Sequence, residues 1–84
     1  MTPSARLAMA IRRFARFAHL GSIEMADAEI AAKTGLQSRR VSRLRRGLVR
    51  MYVEDCDQLA AVLDCRAEWI AFGVSPPQWA RVAA

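Results

Sequence analysis

The 84 residues are enough for one small domain, which buries little more than about 60% of its unfolded surface. A hydrophobic fraction of 54% is too high for disorder, and no apolar run approaches the roughly 20 residues of a membrane span. The formal charge is +5, with 13 basic residues against 8 acidic ones; no secretory pattern opens the chain, so a cytoplasmic protein with no membrane partner is expected.

Thr2-Pro3 reads as a helix opening, with threonine as the cap and proline at the first helical position. From Ser4 to about Leu20, Leu7, Ile11, Phe14 and Ala18 recur at helical spacing. Phe17 lies at one edge of that stripe, and Gly21 is the expected stop. Arg12, Arg13 and Arg16 fall off the stripe, on a solvated face or against a nucleic-acid backbone. His19, at the helix end, is placed to interact with terminal carbonyls and the helix dipole. Ser22 to Ala26 is expected as a connection, with Ile23 and Met25 tucked under the fold.

Asp27 is then expected to open a second helix, with Ile30 and Ala31 on its apolar side and Gly35 at its exit. After Leu36 a third helix spans residues 37–46, with Gln37 or Ser38 near its cap and Val41 and Leu44 facing inward. Stepping about 100° per residue puts Arg39, Arg43 and Arg46 on the opposite face, with Ser42 beside them and Arg40 and Arg45 at the flanks. No acidic residue occurs between Ile30 and Val53, where Arg39, Arg40, Arg43, Arg45, Arg46 and Arg50 are crowded. Two apolar anchors under a row of guanidinium groups suit a helix that rests on a scaffold and reads DNA.

Gly47 ends that helix, and Leu48 to Met51 lead on, with Arg50 placed for a phosphate. Tyr52 to Leu63 reads as a fourth helix with Val53, Cys56, Leu59, Ala60 and Leu63 inward; Glu54, Asp55 and Asp57 enrich its first turn as the dipole prefers. A short helix from Ala67 to Phe72 follows, and Val74-Ser75-Pro76-Pro77 breaks it off from a tail carrying Trp79 and Val82. Trp79 is expected either to fold back on its own domain or to pack on a partner subunit.

Enzymatic chemistry finds no support. The single histidine leaves no catalytic triad, Cys56 and Cys65 have neither zinc nor redox spacing, and no glycine-rich phosphate loop follows a strand. No cofactor, metal or small-molecule ligand is expected.

The motif with its small Ala31, its turn Gly35, its inward Leu36, Val41 and Leu44 and its closing Gly47 resembles the helix-turn-helix of the lambda repressor and Cro-like family of transcriptional regulators. Leu59-Ala60 with Leu63, and Ala67 to Ile70 with Phe72-Gly73, resemble the family's fourth and fifth helices, so the likeness covers roughly residues 4–73. It implies an all-α, compact five-helix bundle over residues 1–73 with a contact tail at 74–84. It also implies a homodimeric regulator of double-stranded DNA, a repressor or Cro-like switch of a phage, prophage or mobile element. Ser38, Arg39 and Arg43 fall at positions that touch base edges, with Gln37 and Ser42 as lesser candidates; Arg40, Arg46 and Arg50 are better placed for phosphates. Trp69, Ile70 and Phe72 match the family's dimer region, and Trp79 is assigned there with them. Two positions depart from the family. Asp27 stands where a phosphate-meeting glutamine is common, and Arg45 stands where an acidic residue pairs with a helix-1 arginine. Glu24 or Glu29 is expected to partner Arg45, unless it turns to DNA. The alternative is an antitoxin-type or other protein-interaction module on the same fold.

Overall fold

The computed structural model describes residues 1–82. Helix α1, Pro3–Phe17, opens as its first residues dictate. The Thr2 Oγ1 accepts the Ala5 amide at 3.0 Å, and Pro3 fills a first-turn position where no N–H is needed. Gly21 does not end it. His19 takes a φ of +56°, and the His19 and Leu20 amides donate to the Arg16 and Ala15 carbonyls. This is the Schellman closure, with histidine in the left-handed slot that glycine usually fills. The early stop leaves Phe17 and Ala18 exposed, so the inner face is Leu7, Ala10, Ile11 and Ala15, with Phe14 packed at its edge.

Helix α2, Ile23–Thr34, starts earlier than its sequence suggested. Ser22 caps it by accepting the Met25 amide at 3.2 Å, so Ser22 to Ala26 is a cap and first turn rather than a connection. Ile23 packs toward the core as expected, but Met25 faces out, and Asp27 lies within the helix instead of opening it. Gly35 ends α2 at a φ of +81° with open space where a Cβ would sit, so the backbone angle alone calls for glycine. Helix α3, Ser38–Arg45, closes through the Gly47 and Leu48 amides on the Leu44 and Arg43 carbonyls. Helix α4, Val53–Leu63, buries Cys56, Leu59, Ala60 and Leu63, but Val53 is 67% exposed because its position at the first turn lies outside the core. Helix α5 is Ala67–Phe72.

The prediction of five helices misses a sixth, α6, at Gln78–Val82. Pro76-Pro77 does break the chain after α5, but it also leads into a new helix: the Ala80 and Arg81 amides donate to the Pro77 carbonyl at 3.0 and 3.2 Å. Prolines are tolerated there because the opening residues of a helix have no intrahelical acceptor for an N–H. Of the tail expected at 74–84, residues 83 and 84 lie outside the described residues.

The protein is all-helical, with no strand among the described residues. Leu7, Ile11, Ile30, Val41, Leu44, Leu59, Leu63 and Ile70 are completely buried, so α1 to α5 share one core. Arg6 is also buried: its Nε and Nη2 donate to the Ile70 and Ala71 carbonyls at 3.0 and 3.1 Å, and its Nη1 to the Met1 carbonyl. It thereby satisfies acceptors that the end of α5 leaves without partners. Trp79 fastens α6 to the bundle, its Nε1 donating to the Asp64 carbonyl at 2.9 Å and its ring standing edge-on to Trp69 at 5.4 Å. Arg13 lies over both Phe17 and Trp79, 4.3 and 4.9 Å from their ring centres. The radius of gyration of 11.5 Å is the about 12 Å of a fully packed chain of this length. Among the described residues no helix is long and apolar enough to cross a membrane.

Candidate nucleic-acid interface

Eight residues form α3, and only Val41 and Leu44 reach the core. Pinning a helix along two adjacent positions leaves its opposite side to solvent, and that side carries Arg39 and Arg43, with Arg46 following at the helix end. All three are exposed, as are Gln37 at the N-cap, Ser38 in the first turn and Arg50 in the connection to α4. Ser42 is half-buried beside them. Among the described residues no carboxylate lies within ion-pair distance of Arg39, Arg43, Arg46 or Arg50. Between α3 and the following connection, Gln37, Arg39, Arg40, Arg43 and Val49 line a cleft of about 170 Å³. The N-cap side chain makes no hydrogen bond to the helix, so the Gln37 amide group is not committed there.

The other two arginines of the segment are paired with carboxylates: Arg40, at the border of that cleft, and Arg45, away from it. The Arg40 Nε and Nη2 donate to the two carboxylate oxygens of Asp55 at 3.1 and 2.7 Å. Arg40, expected to face a phosphate, instead directs one forked edge of its guanidinium at a carboxylate of α4. Arg45 donates from Nε and Nη2 to Asp27 at 2.9–3.0 Å. Neither Glu24 nor Glu29 takes that place, and Arg45 does not turn outward. The side chains of Arg45 and Asp27 are only 13% and 4% exposed, those of Arg40 and Asp55 35% and 6%.

The electrostatics follow from this geometry. Burial works against the charge of Asp55, but the Arg40 hydrogen bond, the Tyr52 amide donating at 2.8 Å and the Arg40 charge outweigh it and hold its pKa below the usual carboxylate range. Hydrogen bonds from the same pairs raise Arg40 and Arg45 further above the ordinary arginine value. The two thiols lie apart from this chemistry: burial pushes Cys65 up to about 11 and Cys56 upward as well, so both stay protonated. No cluster suited to holding a metal ion occurs among the described residues.

The expected dimer residues are scattered. Trp69 and Ile70 are buried in the core and offer no face to a partner, which corrects their assignment, while Trp79, half-buried, takes the first of its two expected courses and folds back on Trp69. Phe72 alone stays open, 74% exposed, near the exposed Tyr52 and Val53 around hollows of 180 and 200 Å³. Asp27 and Asp55 are not legible in the sequence as partners of α3. Each was legible only as an acidic residue near a helix start, and their arginines lie 18 and 15 positions away. Comparison with protein-family models, curated proteins and solved structures returned no match to this chain.

Proposed function

We propose that the protein is a sequence-specific double-stranded DNA-binding regulator in which α2 and α3 act as a helix-turn-helix, as its resemblance to lambda repressor and Cro-like regulators suggests. The observation that carries this reading is the row of exposed arginines, unpaired among the described residues, on a helix fixed from behind by Val41 and Leu44. A helix of this kind fits the major groove, where an arginine fork donates to the O6 and N7 of guanine together. Arg39 and Arg43 take the base-reading role, with Gln37, Ser38 and Ser42 as polar neighbours. Arg46 and Arg50 hold phosphates and set the register without reading sequence. A module this small gains reach by pairing, so a homodimer on half-sites about 34 Å apart is part of the proposal, with Phe72 in place of the buried tryptophan as its apolar contact. A repressor or Cro-like switch of a phage, prophage or mobile element is the role this arrangement serves.

The test is a titration of labelled duplex DNA across a salt series. Affinity is expected to fall steeply with salt, at about 0.9 log units per log unit for each phosphate neutralised. Joint replacement of Arg39, Arg43 and Arg46 by Ala should abolish binding, and binding that survives this variant unchanged rejects the proposed surface. One observation favours the alternative of a protein-interaction module: the exposed Tyr52, Val53 and Phe72 around one hollow. Co-purification of a second protein whose release leaves no affinity for DNA would select that reading.

A further inference from the structure

The six arginines from Arg39 to Arg50 look alike in the sequence and separate in space into two sets. On the helical wheel, Arg40 and Arg45 bracket the seam formed by Val41 and Leu44, one on each side, at opposite ends of α3. The Arg40 fork meets Asp55 in the first turn of α4, and the Arg45 fork meets Asp27 within α2. Each joins planar fork to planar carboxylate, a geometry that fixes direction as well as distance. Val41 and Leu44 set how deep α3 sits, but two apolar side chains in a row leave it free to roll about its axis. Two forks held on either side of that row remove the roll.

We infer that Asp27 and Asp55 are specificity-determining positioning residues that tie Arg45 and Arg40 to the scaffold, so that only Arg39, Arg43, Arg46 and Arg50 enter the DNA footprint. This inference rests on the DNA-binding reading above and adds a division of labour within it. The carboxylates set the angle at which the reading face is offered. They also withhold two cations that would otherwise strengthen binding to any duplex through its phosphates. Loss of Asp55 therefore increases charge on the surface while loosening the reader, which trades selectivity for general adhesion.

The experiment compares salt dependence and the ratio of cognate to random-duplex affinity in four proteins: wild type, Arg40→Gln, Asp55→Asn and the double variant. Asparagine keeps an oxygen for the Tyr52 amide, so the start of α4 retains its cap, and circular dichroism melts verify folding. Arg50→Ala calibrates the assay as a phosphate contact, expected to make the slope shallower by about 0.9. Arg40→Gln alone should leave the slope unchanged. Asp55→Asn should steepen it by about 0.9 and lower the specificity ratio, and adding Arg40→Gln should cancel the steepening. A shallower slope in Arg40→Gln alone would put that arginine on a phosphate in the complex and overturn the inference. So would a specificity ratio that survives Asp55→Asn intact. Should Asp55→Asn not fold, the same comparison is made with Asp27→Asn and Arg45→Gln. A wild-type protein that binds no duplex at low salt would instead reject the DNA reading itself, a separate outcome.

Discussion

Arg39 and Arg40 are neighbours in the chain, and a rotation of about 100° gives them different partners. Arg40 donates two parallel hydrogen bonds to Asp55, while Arg39 and Arg43 extend into solvent with no carboxylate beside them among the described residues. A committed guanidinium contributes packing and direction; an uncommitted one keeps its whole fork for a ligand. Replacing Arg43 with Ala should therefore weaken binding to the cognate site by about 1–3 kcal/mol, roughly fivefold to more than a hundredfold, while random DNA loses far less. Competition titrations on the two duplexes measure this, and equal losses on both would reduce Arg43 to a phosphate contact. Arg6 shows the other extreme: buried, it serves the carbonyl end of α5, and a Cβ on Gly73 would lie 3.1 Å from its Nη1.

At the scale of the element, α3 is too short to hold its own shape, since an isolated helix of eight residues is marginal in water. It is held by neighbours, and the Asp27–Arg45 pair is the more enclosed of its two ties. Asp27→Ala leaves a guanidinium with little solvent and no partner, and it should destabilise the fold by about 3 kcal/mol; chemical denaturation measures it, and a loss well under 1 kcal/mol would mean that Arg45 escapes to water. Asp55 adds a dependence on pH. Its folded pKa is depressed, so its contribution is complete above the ordinary carboxylate value of about 3.9 and disappears as pH falls through the lower folded value. The thermal midpoint of the wild type should thus drop between about pH 5 and pH 2 by more than that of Asp55→Asn; parallel curves would deny the pair its role. Start and stop signals that act within a few residues were readable from the chain: the Thr2-Pro3 opening, Gly35 and Gly47. What was not readable depended on groups brought together by folding. The end of α1 passed to His19 because the backbone turned left-handed before reaching Gly21. The start of α2 lies earlier than Asp27 suggests because Ser22 supplies the cap. Both ion pairs span helices and leave no local pattern.

Across the whole molecule, a formal charge of +5 is spread unevenly. The stretch between Ile30 and Val53 holds no carboxylate, while exposed Glu54, Asp57 and Glu68 lie on α4 and α5. Such an imbalance would steer the encounter with the DNA proposed as its partner. The tail, which reads from the sequence as a stiff break followed by a tryptophan that either folds back or packs on a partner, becomes α6, and Trp79 folds back on the bundle. Its two prolines suit both a break and a helix opening, and here the chain does both. Selection of bound duplexes from a random-sequence pool tests the central claim most directly. The account predicts enrichment of paired half-sites containing G·C pairs, with centres about 34 Å apart, and loss of that enrichment when Arg39 and Arg43 are both replaced by Ala. A pool that stays random after repeated rounds, or the same motif emerging with the double variant, would contradict it.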